Sequence, residues 1–142
     1  MNQPFVLDAS VPLAWALQEP EHQAYNDAVL TLLGDGEALV PSLWAIEIVN
    51  VLVHAERGGR LTSAALHQFV HDLAALPVRE VPNAYHGSAM LRLHQMCFHR
   101  GLTAYDATYL DLALRNGCLL ATTDRKLVQA AMAEGCFLDP LR

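Results

Sequence analysis

Four acidic residues that are far apart in the chain stand after apolar runs or near the starts of helical segments: Asp8, Glu47, Asp106 and Asp124. Asp8 directly follows the apolar run 5–7, and Asp124 comes three residues after the apolar run 118–121. If these runs are parallel strands, both acids lie at the carboxyl edge of one sheet. Carboxylates gathered there would raise each other's pKa, and a divalent cation with oxygen ligands, Mg²⁺ or Mn²⁺, is the natural compensation. Such an ion can activate water and clamp a phosphate during in-line displacement.

Glu47 and Asp106 are expected to face the same edge, because each lies in the first turns of a predicted helix. Taken alone, Asp8 and Asp124 are also suited to capping the helices that follow them, and Asp106 is suited to a helix N-terminus, where the macrodipole favours a carboxylate. Glu47 is harder to explain in this way, because it stands between isoleucines in an apolar segment. A buried carboxylate needs a partner, a proton or a metal. The joint placement of the four acids is therefore what predicts a metal site.

The elements that must position these acids are short apolar runs alternating with helical segments. The runs predicted as strands are 5–7, 38–40, 78–81 and 118–121, with a further candidate at 135–138. The predicted helices are 10–20, 22–33, 43–57, 63–75, 83–99, 103–116 and 124–133. Ser10 is expected to cap the first helix, and Thr103 is expected to cap the helix that carries Asp106. The alternation predicts an α/β fold with a mostly parallel sheet and helices on both faces.

The segment 43–57 is predicted to be a helix buried on nearly all sides, because apolar side chains surround most of it. Its polar residues recur at spacings of three, four and three and form one narrow stripe, which consists of Glu47, Asn50, His54 and Arg57. Asn50 lies one turn after Glu47 and is expected to support its carboxylate with a hydrogen bond. Asp111, five residues after Asp106, is expected to be solvated or to pair locally, outside the site.

The composition favours one domain spanning 1–142. Hydrophobic residues make up 53% of the 142 residues and charged residues 17%, which is enough for a sizeable core and disfavours disorder. The net charge of -6 requires any contact with nucleic acid to be local. Three widely spaced cysteines predict neither a zinc site nor a disulfide framework. Without a cationic leader or a run long enough to cross a bilayer, a cytoplasmic location without membrane contact is expected.

Four stretches resemble the motifs of the PIN-domain family and occur in the same order: VLDAS at 6–10, EIVNVL at 47–52, LTAYDA at 102–107 and ATTD at 121–124. The resemblance covers essentially the whole chain and is closest to the VapC-like toxin ribonucleases of bacterial toxin–antitoxin pairs. It implies a ribonuclease that uses Mg²⁺ or Mn²⁺, and it implies that the catalytic metal ligands are Asp8, Glu47, Asp106 and Asp124. It also implies that polar groups which hold these acids or position substrate are Ser10, Asn50 and Thr122.

The resemblance further implies an RNA substrate and a cognate antitoxin protein seated in a groove. The apolar stretches around Trp15 and 43–44 exceed what one small core is expected to bury and predict a homodimer. RNA contact must come from few cations, of which Arg125 and Lys126 directly follow Asp124. The other candidate cations are Arg57, Arg60 and Arg100.

Three alternatives remain open from the residues. One is a PIN-family nuclease of RNA processing that has no antitoxin. Another is a non-catalytic binding or signalling module on a flavodoxin-like sheet, although a phosphoacceptor receiver would want paired acids after the first strand, where Ala9 and Ser10 follow Asp8 here. A third is metal-free acid–base cleavage by histidine, which is disfavoured because none of the histidines outside the segment 43–57 belongs to a motif.

Overall fold

Four short strands form one sheet in this computed structural model, which describes residues 3–141. The strands are β1 (Phe5–Leu7), β2 (Ala38–Val40), β3 (Val78–Glu80) and β4 (Leu119–Ala121). Their order is β3-β2-β1-β4, and every neighbouring pair is parallel. The predicted α/β fold with a parallel sheet is confirmed.

The helices lie between the strands, mostly in pairs. They are α1 (Ser10–Ala16), α2 (Gln23–Gly34), α3 (Leu43–Arg57), α4 (Ser63–Ala74), α5 (Ser88–Arg100), α6 (Ala104–Asn116) and α7 (Arg125–Ala133). The chain steps from β1 to β2 to β3 in one direction and then returns past β1 to β4. Because parallel crossovers are right-handed, these opposite steps place α1–α4 on one face of the sheet and α5–α6 on the other.

The core is centred on the inner strands β1 and β2 and on α6. Val6 and Leu7 of β1 and Ala38 of β2 are completely buried, and so are Tyr109 and Leu110 of α6. A strand covered by helices on both faces has no solvent side, which explains why β1 and β2 read as continuous apolar runs rather than alternating ones. The sheet edge that follows β1 is therefore positioned by a fully packed centre.

Helix α3 is not buried on nearly all sides, and this prediction was wrong. Its buried residues include Trp44, Ile48 and Leu52, which recur at every fourth position and form one stripe against the core. Ile46 is 71% exposed and Val49 is 55% exposed. The apolar composition of the segment thus overstated its burial, because only one face of α3 packs inward.

Helix α5 begins at Ser88, five residues later than the predicted start at Asn83. The side chains of Asn83 and Tyr85 donate hydrogen bonds to Asp111 on α6, at 3.3 Å and 2.8 Å. These long-range bonds hold the preceding segment in an irregular conformation that a helix would break. No local sequence pattern reveals them, which is why the predicted boundary was wrong.

The candidate last strand at 135–138 forms a single parallel bridge rather than a strand. Leu120 donates its backbone N–H to the carbonyl of Cys136 at 2.7 Å and accepts from the N–H of Leu138 at 2.9 Å. The chain end thus extends the sheet edge beside β4 by one residue.

Cys97, Cys118 and Cys136 are free thiols, with Cys118 and Cys136 buried and Cys97 packed against the core from a half-buried position. No helix within residues 3–141 combines the length and the apolar character that a membrane span needs.

Candidate active site

Asp8 and Thr122 lie side by side at the carboxyl edge of the sheet. β1 and β4 are paired in parallel with Leu7 opposite Ala121, so the residues that follow the two strands are neighbours. The N–H of Asp8 continues the ladder by donating to the carbonyl of Ala121 at 3.0 Å. Both side chains are buried, with Asp8 5% and Thr122 1% exposed. Parallel pairing thus brings residues of two motifs that are distant in the sequence into contact.

The carboxylate of Asp8 is held by two hydroxyl groups. The Oδ2 atom accepts hydrogen bonds from Ser10 at 2.6 Å and from Thr122 at 2.8 Å. Ser10 was predicted to cap α1, but the N-cap position belongs to Ala9 and Ser10 is the first helical residue. The hydroxyl of Ser10 instead donates to Asp8, because hydrogen bonds to a carboxylate are stronger than those between neutral groups.

The loop after β4 donates backbone hydrogen bonds to the same two hydroxyls. Thr122 Oγ1 accepts from the N–H of Asp124 at 3.0 Å, and Ser10 Oγ accepts from the N–H of Thr123 at 3.2 Å. Asp124 caps α7, since its Oδ1 accepts from the N–H of Leu127 at 2.9 Å. The predicted N-cap is confirmed, and the bond leaves Oδ2 of Asp124 for another partner.

Asp106 lies in the first turn of α6. Thr103 caps this helix as predicted, by accepting the N–H of Asp106 at 3.2 Å. Burial raises the pKa of the Asp106 carboxyl to about 6, and the charges of Asp124 and Asp8 add to the effect, whereas the Thr103 hydroxyl and the Lys126 ammonium oppose it. Burial is thus the main cause of the elevated pKa, and repulsion from Asp124 and Asp8 contributes more to it than the attraction of Lys126 removes.

Glu47 on α3 is half-buried and takes its hydrogen bond from Tyr109 of α6. Asn50, which was expected to support this carboxylate, is exposed and does not supply the bond. Burial raises the pKa of Glu47, the hydrogen bond from Tyr109 lowers it, and the charges of Asp8 and Asp106 raise it further. The support for Glu47 therefore comes from another helix rather than from the next turn of its own.

The four predicted acids lie within electrostatic reach of one another. Burial raises the pKa of Asp8, the hydroxyls of Ser10 and Thr122 oppose this, and the charge of Asp124 adds to it. The charges of Asp8 and Asp124 raise the pKa of Asp106, and the charges of Asp8 and Asp106 raise the pKa of Glu47. The four acids that sequence reasoning placed at one sheet edge are thus linked electrostatically into one group, which is named the acidic cleft.

The donor set of this cleft fits a hard divalent cation that keeps part of its water. Carboxylate oxygens are the ligands that Mg²⁺ and Mn²⁺ prefer, and beyond the effect of burial the charges of neighbouring acids further raise the pKa values of three of the acids. No group of three or more His, Cys, Asp and Glu side chains within 3–141 is already arranged to enclose an ion. Mg²⁺ commonly binds through one or two carboxylates and retains several waters, so a tight cage is not required.

The candidate cations divide into two groups. Lys126 acts electrostatically on Asp106, and Arg125 precedes it in the first turn of α7, so both lie close to the cleft. Arg60 instead pairs with Glu19 at 3.5 Å. Arg100 pairs with Glu134 at 2.7 Å, between the ends of α5 and α7.

Sequence reasoning missed Tyr109 and Tyr25, whose hydroxyls form hydrogen bonds with Glu47 and Thr122. Tyr109 stands three residues after Asp106, a spacing that puts both on one face of α6 and was a usable signal. The Tyr25 hydroxyl accepts from the N–H of Thr122 at 3.2 Å and donates to the carbonyl of Leu138 at 2.9 Å. Its separation of 97 residues from Thr122 leaves no local pattern that would have revealed it.

The parallel sheet and the acidic cleft beyond it define the class of protein. Residues 5–133 match the PIN domain family, and the chain belongs to that family. It is similar to Ribonuclease VapC3 of Mycobacterium tuberculosis, from strain CDC 1551 / Oshkosh and strain ATCC 25618 / H37Rv, with 32% identity over 90 residues in each case. The match covers 63% of this chain and spans about 62% of those relatives.

A solved structure is also similar over most of the chain. It is the crystal structure of PAE2754 from Pyrobaculum aerophilum, with 27% sequence identity and a TM-score of 0.64. The match covers 89% of this chain and 78% of that one. The two chains therefore share most of their arrangement of strands and helices.

Proposed function

We propose that this protein is a cytoplasmic, divalent-metal-dependent ribonuclease that hydrolyses RNA phosphodiester bonds and acts as the toxin of a toxin–antitoxin pair. The observation that carries the proposal is the acidic cleft at the carboxyl edge of β1 and β4, in a chain of the PIN domain family. Similarity to Ribonuclease VapC3 supports RNA as the substrate. A non-catalytic module gains little from three buried or half-buried carboxylates with raised pKa values.

The metal ligands in this proposal are Asp8, Glu47, Asp106 and Asp124. PIN ribonucleases generally use divalent metals, and a bound Mg²⁺ or Mn²⁺ ion supplies Lewis-acid stabilisation of the charge that develops on the phosphate. Ser10 and Thr122 keep Asp8 in one orientation by occupying its Oδ2 atom. The N-cap bond at Asp124 has the same effect on the loop after β4.

RNA binding is assigned to the rim of the cleft. Arg125 and Lys126 are exposed at the start of α7 and are suited to phosphate contacts, which need no wider basic surface. Tyr105 precedes Asp106 and is 67% exposed, so its ring is available for stacking on a base. The negative charge of the protein restricts RNA contact to this rim, and binding is expected to weaken with salt.

The proposal is tested by incubating the antitoxin-free protein with total RNA in Mg²⁺, Mn²⁺ or EDTA and mapping the cleaved ends. Cleavage is expected with either metal and is expected to stop in EDTA. The carboxylates alone supply no Lewis acid to stabilise the negative charge that develops on the phosphate. Adding the product of a neighbouring antitoxin gene should block cleavage. EDTA-resistant cleavage would contradict the metal assignment, and cleavage that no neighbouring gene product inhibits would favour the RNA-processing alternative.

The antitoxin is proposed to occupy the groove between α1, α2 and α4. This groove has a volume of about 480 Å³ and an apolar lining that includes Trp15, Leu30 and Phe69. Leu30 in this lining is 39% exposed, so an apolar segment of the antitoxin would cover surface that is otherwise in contact with water.

A homodimer is proposed on surfaces other than those the sequence suggested. Trp44 is buried and Trp15 is half-buried, so neither supplies a large exposed apolar surface. Several of the exposed apolar side chains lie instead on α3 and α5; on α5 they are Met90, Leu91 and Phe98, with exposed fractions of 56%, 65% and 78%. Apolar surface of this kind commonly marks an interface between copies of a chain.

Light scattering tests the dimer. The parent protein is expected to have twice the 15.6 kDa mass of one chain, and the double change Leu91→Glu and Phe98→Glu is expected to give the monomer. Met132→Glu is the matched control, because Met132 is 60% exposed on α7. A parent protein that is monomeric at every concentration would contradict the dimer, and a dimer that persists in the double variant would place the interface elsewhere.

A further inference from the structure

Tyr109 joins two helices across the acidic cleft. Its ring is completely buried in the core beneath α6, and its hydroxyl donates a hydrogen bond to Oε1 of Glu47 on α3. The backbone N–H of Ala9, next to Asp8, also interacts with the Tyr109 oxygen. One hydroxyl thus lies between the segment that carries Glu47 and the segment that carries Asp8.

The hydrogen bond is required for packing as well as for orientation. A buried hydroxyl without a partner is costly, and the Glu47 carboxylate supplies the acceptor that the Tyr109 hydroxyl needs. Burial, the hydrogen bond to Glu47, and the charges of Asp8 and Glu47 all raise the pKa of Tyr109.

Two other acids of the cleft accept side-chain or cap bonds through one oxygen each. Asp8 uses Oδ2 for the hydroxyls of Ser10 and Thr122, and Asp124 uses Oδ1 for the N–H of Leu127. Within residues 3–141 no side chain donates to the second oxygen of either carboxylate, although the backbone N–H of Ser10 also bonds the carboxylate of Asp8. Glu47 follows this pattern, with Oε1 occupied by Tyr109 and Oε2 left for a ligand.

We propose that Tyr109 is a positioning residue for the metal centre, which fixes Glu47 so that one of its oxygens serves as a ligand. The inference rests on the proposed metal-dependent function. Groups that hydrogen-bond to metal ligands orient them, and their removal commonly reduces metal affinity by about 10-fold to 100-fold. Asp106 and Tyr109 share one face of α6, so the same helix supplies a ligand and the group that orients the ligand opposite it.

Tyr109→Phe tests this role, because it removes the hydroxyl and keeps the buried ring. Mn²⁺ binding to the full-length protein, followed by electron paramagnetic resonance, is expected to weaken about 10-fold. The spectrum of the bound ion is expected to change as well, since a loosely held Glu47 alters the ligand field. Neither readout depends on RNA cleavage, and neither responds to a uniform loss of stability in a protein that stays folded.

Tyr85→Phe is the matched control. The Tyr85 hydroxyl also donates to a carboxylate, that of Asp111 on α6, at 2.8 Å, but Asp111 is not among the four acids of the cleft. This variant is expected to bind Mn²⁺ as the parent does and to melt at a lower temperature. Circular dichroism of both variants confirms that they are folded at the temperature of the titration.

The outcomes separate this inference from the proposed function. If the parent binds Mn²⁺ and cleaves RNA while Tyr109→Phe has the parent's affinity and spectrum, the positioning role is overturned and the ribonuclease proposal stands. If the parent binds no Mn²⁺, the metal site and the role of Tyr109 are overturned together. Equal weakening in Tyr109→Phe and Tyr85→Phe would also overturn the positioning role, because the effect would then follow general destabilisation.

Discussion

Asp106→Asn is expected to slow RNA cleavage at least about 100-fold, since removing a metal ligand forfeits several kcal/mol of charge stabilisation. Asparagine has nearly the same shape as aspartate, and the backbone bond from residue 106 to Thr103 remains. The change therefore removes a charge without removing the helix cap. Single-turnover cleavage of a defined RNA in Mn²⁺ measures the effect, and Asp35→Asn, an exposed acid after α2, is the charge-matched control.

The same substitution is expected to stabilise the metal-free protein at neutral pH. A carboxyl whose pKa is raised in the folded state, here from 3.8 to about 6, favours folding while it is protonated. That contribution is complete below about pH 4 and is lost as the pH rises through 6. The melting temperature of metal-free Asp106→Asn should therefore exceed that of the parent at pH 7.5 and approach it near pH 4.

Adding Mn²⁺ should reverse this order at pH 7.5, because the ion binds the folded parent and stabilises it. Asp106→Asn should gain less from the metal. Parent-like cleavage by this variant would remove Asp106 from the metal site. A melting temperature below that of the parent in EDTA would contradict the charge repulsion inferred for the cleft.

Asp111→Ala is expected to reduce the free energy of unfolding by about 2–3 kcal/mol. Asp111 was predicted to be solvated or to pair locally; it is 1% exposed, so it is not solvated, and it pairs locally with Arg115. Its carboxylate accepts from Tyr85 at 2.8 Å, from Arg92 at 3.2 Å and from Arg115 at 2.9 Å. The pairing with Arg115 is local, but the others reach across to α5 and the segment before it. Partial exposure of both arginines keeps the loss below that of a fully buried ion pair.

The pH dependence gives this prediction a second readout. Burial would raise the pKa of Asp111, but the bonds from Tyr85, Arg92 and Arg115 outweigh it and hold the pKa below its ordinary 3.8. A lowered pKa contributes stability above about pH 4 and loses it as the pH falls through the folded value. Urea unfolding at pH 7 and pH 3 should therefore show a large difference between parent and variant that narrows in acid.

Glu37→Gln is the control for the Asp111 experiment. Glu37 pairs with Arg79 at 3.2 Å, but both side chains are exposed, so the loss is expected to stay below about 1 kcal/mol. Equal losses in the two variants would show that the Asp111 network contributes no more than a surface ion pair.

The sequence alone determined the strands and the parallel sheet and predicted that the four acids lie near one another, because these features depend on local pattern and on topology. An apolar run such as Phe5–Leu7 followed by Asp8 needs no distant partner to be recognised. Parallel strands then oblige Asp8 and Thr122 to meet at one edge, which Oδ2 of Asp8 and the Thr122 hydroxyl do at 2.8 Å. Caps such as Thr103 and Asp124 were equally accessible, since their partners lie three residues away.

Tertiary structure decided which groups hold the acids and which apolar residues are buried. Glu47 is held by Tyr109 on another helix, 62 residues away, whereas the periodicity of α3 pointed to Asn50. Asp111 accepts hydrogen bonds from Tyr85 and Arg92. The bond from Tyr85 holds the segment before Ser88 outside α5. Such bonds depend on how helices dock on the sheet. Periodicity reports the faces of one element at a time, so a side chain's partner on a distant element is set only when the elements pack.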